Sequence, residues 1–140
     1  MLALYSIIHK NKSNQFLPLR KLKNMAFVLV VDQSFESLVY LSNLLHTNGH
    51  ECRLASSWEM ALEHLLIEKF DIILCEHCID GDDAFWFMRH LETLKISSQY
   101  LIMSDDVRVK KKISQEGIEA GFCLKPIQWD DLLEQLNEQI

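Results

Sequence analysis

The sequence predicts one α/β domain built on a doubly wound parallel sheet of five strands. From Met25 onward, five short apolar runs alternate with five stretches of helical period, the pattern of a parallel sheet covered by helices on both faces. The first and third runs are continuous rather than alternating, as in strands buried on both sides. Four of the runs lead into polar residues, Asp32, Glu76, Ser104 and Lys125, at the strand ends where open α/β sheets gather their chemistry.

Ala26–Val31 (AFVLVV) is the first predicted strand and ends at Asp32. Ser34–Thr47 carries Phe35, Leu38, Val39, Leu41, Leu44 and Leu45 at helical spacing, and Asn48-Gly49 is a stop signal with a glycine suited to a left-handed cap. Glu51–Ala55 is a short second strand. Ser57–Lys69 is a second helix, with Ser56 or Ser57 as its cap. Phe70–Cys75 is the third strand, running straight into Glu76, and Asp83–Leu94 is the third helix. Tyr100–Met103 is the fourth strand, ending at Ser104; Asp105–Gly117 reads as a helix with a basic patch, Arg108 to Lys112. Gly121–Leu124 is the fifth strand, followed by Lys125-Pro126, and Asp130–Glu138 is a last helix with two acids in its first turn, favourable to the helix dipole.

Right-handed crossovers leave few ways to order these strands. The order 2-1-3-4-5 sets strands one and three side by side at the switch point. Asp32 and Glu76 should then share one crevice, with Ser104 and Lys125 on the same edge.

Composition sets the outer bounds. The chain has 140 residues, 49% of them hydrophobic and 24% charged, with four Gly and two Pro, which excludes a low-complexity or disordered chain and leaves room for one core. The net charge of −6 argues against direct nucleic-acid binding, and the apolar runs are far shorter than a membrane span. Three of the four cysteines, Cys52, Cys75 and Cys123, lie inside the predicted strands, as reduced cysteines in a cytoplasmic protein do. Residues 1–24 stand apart. They hold Lys10, Lys12, Arg20, Lys21 and Lys23 and no acid, so they carry about +5 and the remainder about −11. They read as a basic extension or as sequence upstream of a start at Met25. A docking element at Leu2–Ile8 is the sharper alternative.

Residues 25–140 resemble the receiver domain of two-component response regulators, a flavodoxin-like (βα)5 fold. The landmarks are LVVDQ (29–33), ASSWEMAL (55–62), DIILCEH (71–77) followed by Gly81 and Asp83, LIMS (101–104) and LKPI (124–127). Five in order at family-like spacing are specific together, though each alone is weak. The resemblance implies a signalling module rather than an enzyme. Asp32 and Gln33 hold the place of the acidic pair, Glu76 that of the phosphoacceptor aspartate, Ser104 and Lys125 those of the phosphate-contacting hydroxyl and lysine, and Phe122 that of the aromatic switch. Asp32, Glu76 and the backbone carbonyl of Cys78 would make the metal site, and Lys125-Pro126 would be cis. The implied partners are a sensor kinase and an output domain or downstream target. A homodimer would form through the fourth helix, fifth strand and fifth helix (roughly Asp106–Glu119, Phe122–Leu124 and Asp130–Glu138), with Arg108–Lys112 facing the acidic last helix of a mate.

Two departures fall on the chemistry. Gln33 removes one full charge from the metal site. A charge at 4 Å is worth about 4 kcal/mol at an effective dielectric near 20, so weak or absent Mg²⁺ binding is expected from an ion that needs octahedral oxygen ligation. Glu76 places its carboxylate about one C–C bond, ~1.5 Å, further out than aspartate, and in-line phosphoryl transfer depends on position. The expectation is a receiver that does not run the aspartate phosphorylation cycle, with Glu76 as a built-in charge pairing with Lys125 and accepting from Ser104. A conventional cycle on a surrogate carboxylate among Asp80, Asp82 and Asp83 is the alternative, although these acids read first as a solvated loop and helix start.

Competing readings of other classes rest on less. Cys75-Glu-His-Cys78 has the CxxC spacing of a redox or zinc site, but no second ligand pair follows. His77 beside Glu76 has the makings of a general base, yet no Gly-rich phosphate loop or nucleophile elbow accompanies it. Phe85, Trp86, Phe87 and Met88 are four consecutive large apolar residues that one helix face cannot bury together. Trp86 is expected to be exposed or to lie against the N-terminal extension, and a wide core-facing stripe that takes in all four is the equal alternative.

Overall fold

The computed structural model describes residues 25–139. The predicted basic extension and any docking by it lie outside those residues. In chain order the elements are β1 (Phe27–Val31), α1 (Phe35–Thr47), β2 (Glu51–Ala55), α2 (Trp58–Ile67), β3 (Ile72–Glu76), β4 (Cys78–Ile79), β5 (Asp82–Asp83), α3 (Ala84–Thr93), β6 (Gln99–Ser104), α4 (Arg108–Gln115), β7 (Gly121–Leu124) and α5 (Trp129–Gln139).

Five strands form one sheet in the order β2-β1-β3-β6-β7, every neighbour parallel. This is the predicted 2-1-3-4-5 order of the five main strands. The continuous apolar runs conceal a period of two. Phe27, Leu29, Val31, Ile73 and Cys75 enter the core shared with α2, α3 and α4, where Trp58, Leu65, Phe85, Phe87, Leu91 and Val109 meet them. Val28, Val30, Ile72 and Leu74 enter the core on the other face with Leu38, Leu41 and Leu45 of α1 and Leu132 and Leu136 of α5.

Caps fix most helix boundaries. Ser34 and Ser57 each accept a backbone N–H of the first turn, from Ser37 and Met60, and Asp83 does the same for Trp86. The end of α1 is a Schellman motif: His50 N–H donates to Leu45 O and Gly49 N–H to His46 O, with Gly49 at φ +88°, where a side chain would be strained.

Three differences from the sequence reading have local causes. The third strand begins at Ile72, because the Asp71 side chain turns to accept the Phe27 N–H at 2.8 Å. The fourth helix begins at Arg108 rather than Asp105: Ser104 Oγ accepts the Asp106 N–H and Asp106 in turn accepts the Arg108 N–H, so two short turns precede the helix. The acidic loop after Glu76 is ordered as a hairpin. β4 and β5 pair antiparallel across Asp80 and Gly81, both in the left-handed region (φ 51° and 85°), the two-residue turn that Asp-Gly favours.

Helix α3 resolves its four large apolar residues as expected of one face. Phe85 and Phe87 are buried, Met88 is half-buried, and Trp86 is 41% exposed, stacked on the His90 ring.

Candidate functional site

The C-terminal edge of the sheet brings Asp32, Glu76, Ser104 and Lys125 together from β1, β3, β6 and β7. Asp32 follows β1 and is fully buried. Its Oδ1 accepts the Ser34 N–H at 2.8 Å, which holds the carboxylate at the start of α1. Its Oδ2 accepts from Lys125 Nζ at 2.6 Å. The same ammonium donates to Glu76 Oε1 at 3.1 Å. Lys125 reaches this point because its own N–H is tied to Ser104 O at 2.8 Å, beyond the end of β7. The Lys125–Pro126 peptide bond is cis.

The electrostatics follow from this wedge. Burial alone would lower the Lys125 ammonium, but its bonds to Asp32 and Glu76 outweigh that and raise it, so the lysine is held charged. Burial pushes the Glu76 carboxyl up and the nearby Asp32 charge adds to the push, while the bond to Lys125 opposes it. Glu76 is also incompletely satisfied: its Oε2 is buried with no hydrogen-bond partner, and so is His77 Nε2. A buried polar atom without a partner is uncommon in a settled site.

The other predicted residues take separate places. Gln33 turns its Oε1 toward the hairpin, where the Asp80 N–H donates to it over a long 3.4 Å. Ser104 Oγ bonds the Asp106 N–H rather than Glu76; the expected Glu76–Ser104 bond is replaced by a local turn. Phe122 is half-buried on β7, packed against the α2/α3/α4 core. Cys78 is exposed on β4. Asp80, Asp82 and Asp83 are held in the hairpin, and Asp83 is committed as the α3 cap.

The oxygens that the resemblance gives to a metal are partly engaged, with Glu76 Oε2 left without a partner. Both Asp32 oxygens have partners, Gln33 is neutral and directed at Asp80, and Glu76 shares its Oε1 with the lysine. Among the described residues there is no group of three or more His, Cys, Asp or Glu side chains placed to hold a metal ion. Nor does Cys75-x-x-Cys78 have redox geometry. Cys75 is buried in the core, Cys78 is exposed, and both are free thiols. Burial pushes the Cys75 thiol up to about 12, opposite to the lowered thiol of reactive pairs.

Sequence reasoning missed Lys125 as the partner of Asp32 above all. It also missed His50, a buried ring whose Nδ1 accepts the Ala26 N–H at 2.9 Å. A hydrogen bond of that range carries no periodic signal.

No protein-family model matches the chain. Among curated proteins it is 27% identical over 116 residues to the transcriptional regulatory protein ZraR of Escherichia coli K12, and 28% to that of Salmonella typhimurium, over 81% of this chain in each case. The chain spans about a quarter, 26%, of the length of these relatives. Among solved structures it superposes on the chemotaxis response regulator CheY4 of Vibrio cholerae with a TM-score of 0.73 at 24% identity, covering 83% of this chain and 99% of that one. The receiver domain of Francisella response regulator 1452 gives a TM-score of 0.72 at 20% identity, over 81% and 95% of the two chains. The chain thus has the flavodoxin-like fold of these domains. Among the described residues no helix is long and apolar enough to cross a membrane.

Proposed function

We propose that the chain is the receiver module of a response regulator, and that Glu76 takes it out of the conventional aspartate phosphorylation cycle, so that it acts by protein–protein contact. The observation that carries the reading is the Lys125 ammonium between Asp32 and Glu76 at the shared strand edge. It supports a reading in which Glu76 is a longer carboxylate at the acceptor position, already paired to the lysine. The regulator relatives and receiver-fold neighbours support the module assignment.

Glu76 supplies at most one negative charge, where an acyl phosphate would bring close to two and three acceptor oxygens. It is therefore a partial stand-in for the modified state, already holding Lys125. Mg²⁺ binds weakly in this reading, since the neutral Gln33 replaces an acid and the Asp32 carboxylate is spent on Lys125 and Ser34. The partners are a sensor kinase and an output domain or downstream target in the cytoplasm. The α4–β7–α5 face is the proposed homodimer surface, although Arg108 of its basic patch is already paired with Asp106 of its own chain. Sedimentation at high micromolar concentration tests the dimer, and a monomer there counts against it.

The deciding experiment exposes the chain to labelled acetyl phosphate with Mg²⁺ and follows beryllofluoride titration by NMR. No label and no shifts at Asp32, Glu76 and Ser104 are expected. Label lost in Glu76→Ala would restore the conventional cycle at Glu76. Label that survives this substitution and disappears in an Asp80, Asp82 or Asp83→Asn variant would place it on a surrogate carboxylate.

A further inference from the structure

A second site lies beside the hairpin. Between α2 and α3 a cleft of about 180 Å³ opens, walled by Trp58 and Trp86 with His90 and rimmed by Glu59, Asp80 and Asp82. Trp58 is buried and its indole N–H is anchored on Asp82 O at 3.0 Å, so this wall is fixed. Trp86, 41% exposed and stacked on His90, is the open wall.

The charges of this cleft are one-sided. None of its lining residues is a lysine or arginine. Among the described residues, the carboxylates of Glu59, Asp80 and Asp82 enter no ion pair and no side-chain hydrogen bond. Two other clefts among the described residues differ, since one contains Arg89 with Glu92 and the other Lys125 with Glu36. Indole faces attract cations through the ring quadrupole, and unpaired carboxylates at the rim add a long-range pull. The volume falls below the ~300–1,000 Å³ of pockets for free small molecules, and suits the end of one side chain.

We infer that the Trp58–Trp86 cleft is a docking pocket for a protein partner's arginine side chain. The planar guanidinium stacks on an indole and spends its N–H donors on the rim carboxylates, which a compact ammonium does less well. The pocket adjoins the candidate site through one residue: the Asp80 backbone N–H meets Gln33 Oε1, so an arginine drawn to Asp80 sits one hydrogen bond from the Asp32–Gln33 pair. The inference does not depend on the reading of Glu76.

The test uses the whole chain and three capped tripeptides, acetyl-Gly-X-Gly-amide with X as arginine, citrulline or lysine. The indole N–H signals of Trp58 and Trp86 are followed by NMR. The arginine peptide is expected to shift both saturably in the millimolar range, and to bind at least about threefold more tightly than the lysine peptide. Raising salt to shorten the Debye length to about 3 Å should weaken it. Trp86→Ala should cost about tenfold in affinity. Asp80→Asn with Asp82→Asn should abolish binding and keep the fold, because Asn tolerates the left-handed turn at position 80 and Trp58 bonds only the backbone carbonyl of residue 82. Equal shifts from the citrulline or lysine peptide, or none at all, would overturn the assignment. So would indole shifts caused by neutralising Arg20, Lys21 and Lys23 without peptide, which would make this chain's own basic segment the occupant.

Discussion

Lys125 Nζ lies 2.6 Å from the carboxylate of a fully buried Asp32, joining the loop beyond β7 to the end of β1 across two intervening strands. Removing one partner of a buried ion pair leaves the other charge without compensation, and this costs far more than the pair itself contributes. Lys125→Met should therefore destabilise the fold by on the order of 3 kcal/mol. The double variant Asp32→Asn/Lys125→Met should recover part of that loss. Urea unfolding near neutral pH reads both, and equal stability of the two variants would mean that the charge on Asp32 is not what the lysine compensates.

Adjacent residues of α3 should behave oppositely. Phe87 is 1% exposed and stacked on Trp58 with ring centroids 4.6 Å apart, so Phe87→Ala should cost about 3–5 kcal/mol through lost transfer energy and a cavity. Trp86 is 41% exposed, and Trp86→Ala should cost about 1 kcal/mol or less. Thermal or urea melts of the two variants make the comparison.

His50 gives the fold a pH dependence of defined sign. Burial lowers its folded-state affinity for a proton, and its Nδ1 must stay unprotonated to accept from Ala26. The unfolded chain therefore binds the proton first as pH falls below about 6.5. The stabilisation from neutral His50 is complete above that value and declines as pH drops toward the lowered folded-state value. Stability should fall as pH drops below about 6.5, and this slope should be shallower in His50→Gln. A slope unchanged by the substitution would assign the dependence to other groups.

The thiols should separate by burial. Cys75 and Cys123 are buried and both are pushed up to about 12, whereas Cys78 is exposed. Brief alkylation of the folded chain at mildly alkaline pH should mark Cys78 first and leave Cys75 and Cys123 unmodified until denaturant is added. Rapid paired loss of Cys75 and Cys78 would revive the CxxC reading.

Strand order, the helix cover on both sheet faces and one helix cap follow from sequence, because they rest on crossover handedness, local periodicity and a capping residue next to its helix. The continuous runs at 26–31 and 72–75 mark interior strands and Ser57 is a cap, while Ser34 and Asp83 read only as helix starts and the structure makes them caps. The convergence of Asp32, Glu76, Ser104 and Lys125 was equally legible, since strand ends meet by topology alone. Their pairing was not. Whether Lys125 goes to Asp32, to Glu76 or to both, whether Ser104 reaches Glu76 or turns to Asp106, and whether Gln33 faces the site or the hairpin depend on distances of a few tenths of an ångström between side chains up to 93 residues apart. Hydrogen bonds discriminate at that scale, and no residue pattern encodes it. The cleft between Trp58 and Trp86 likewise exists only because α2 and α3 pack on the same sheet face. The sequence by itself determined a five-stranded flavodoxin-like fold with Glu76 at the end of its third strand; tertiary packing decided which charges on that fold are spent on one another and which remain free.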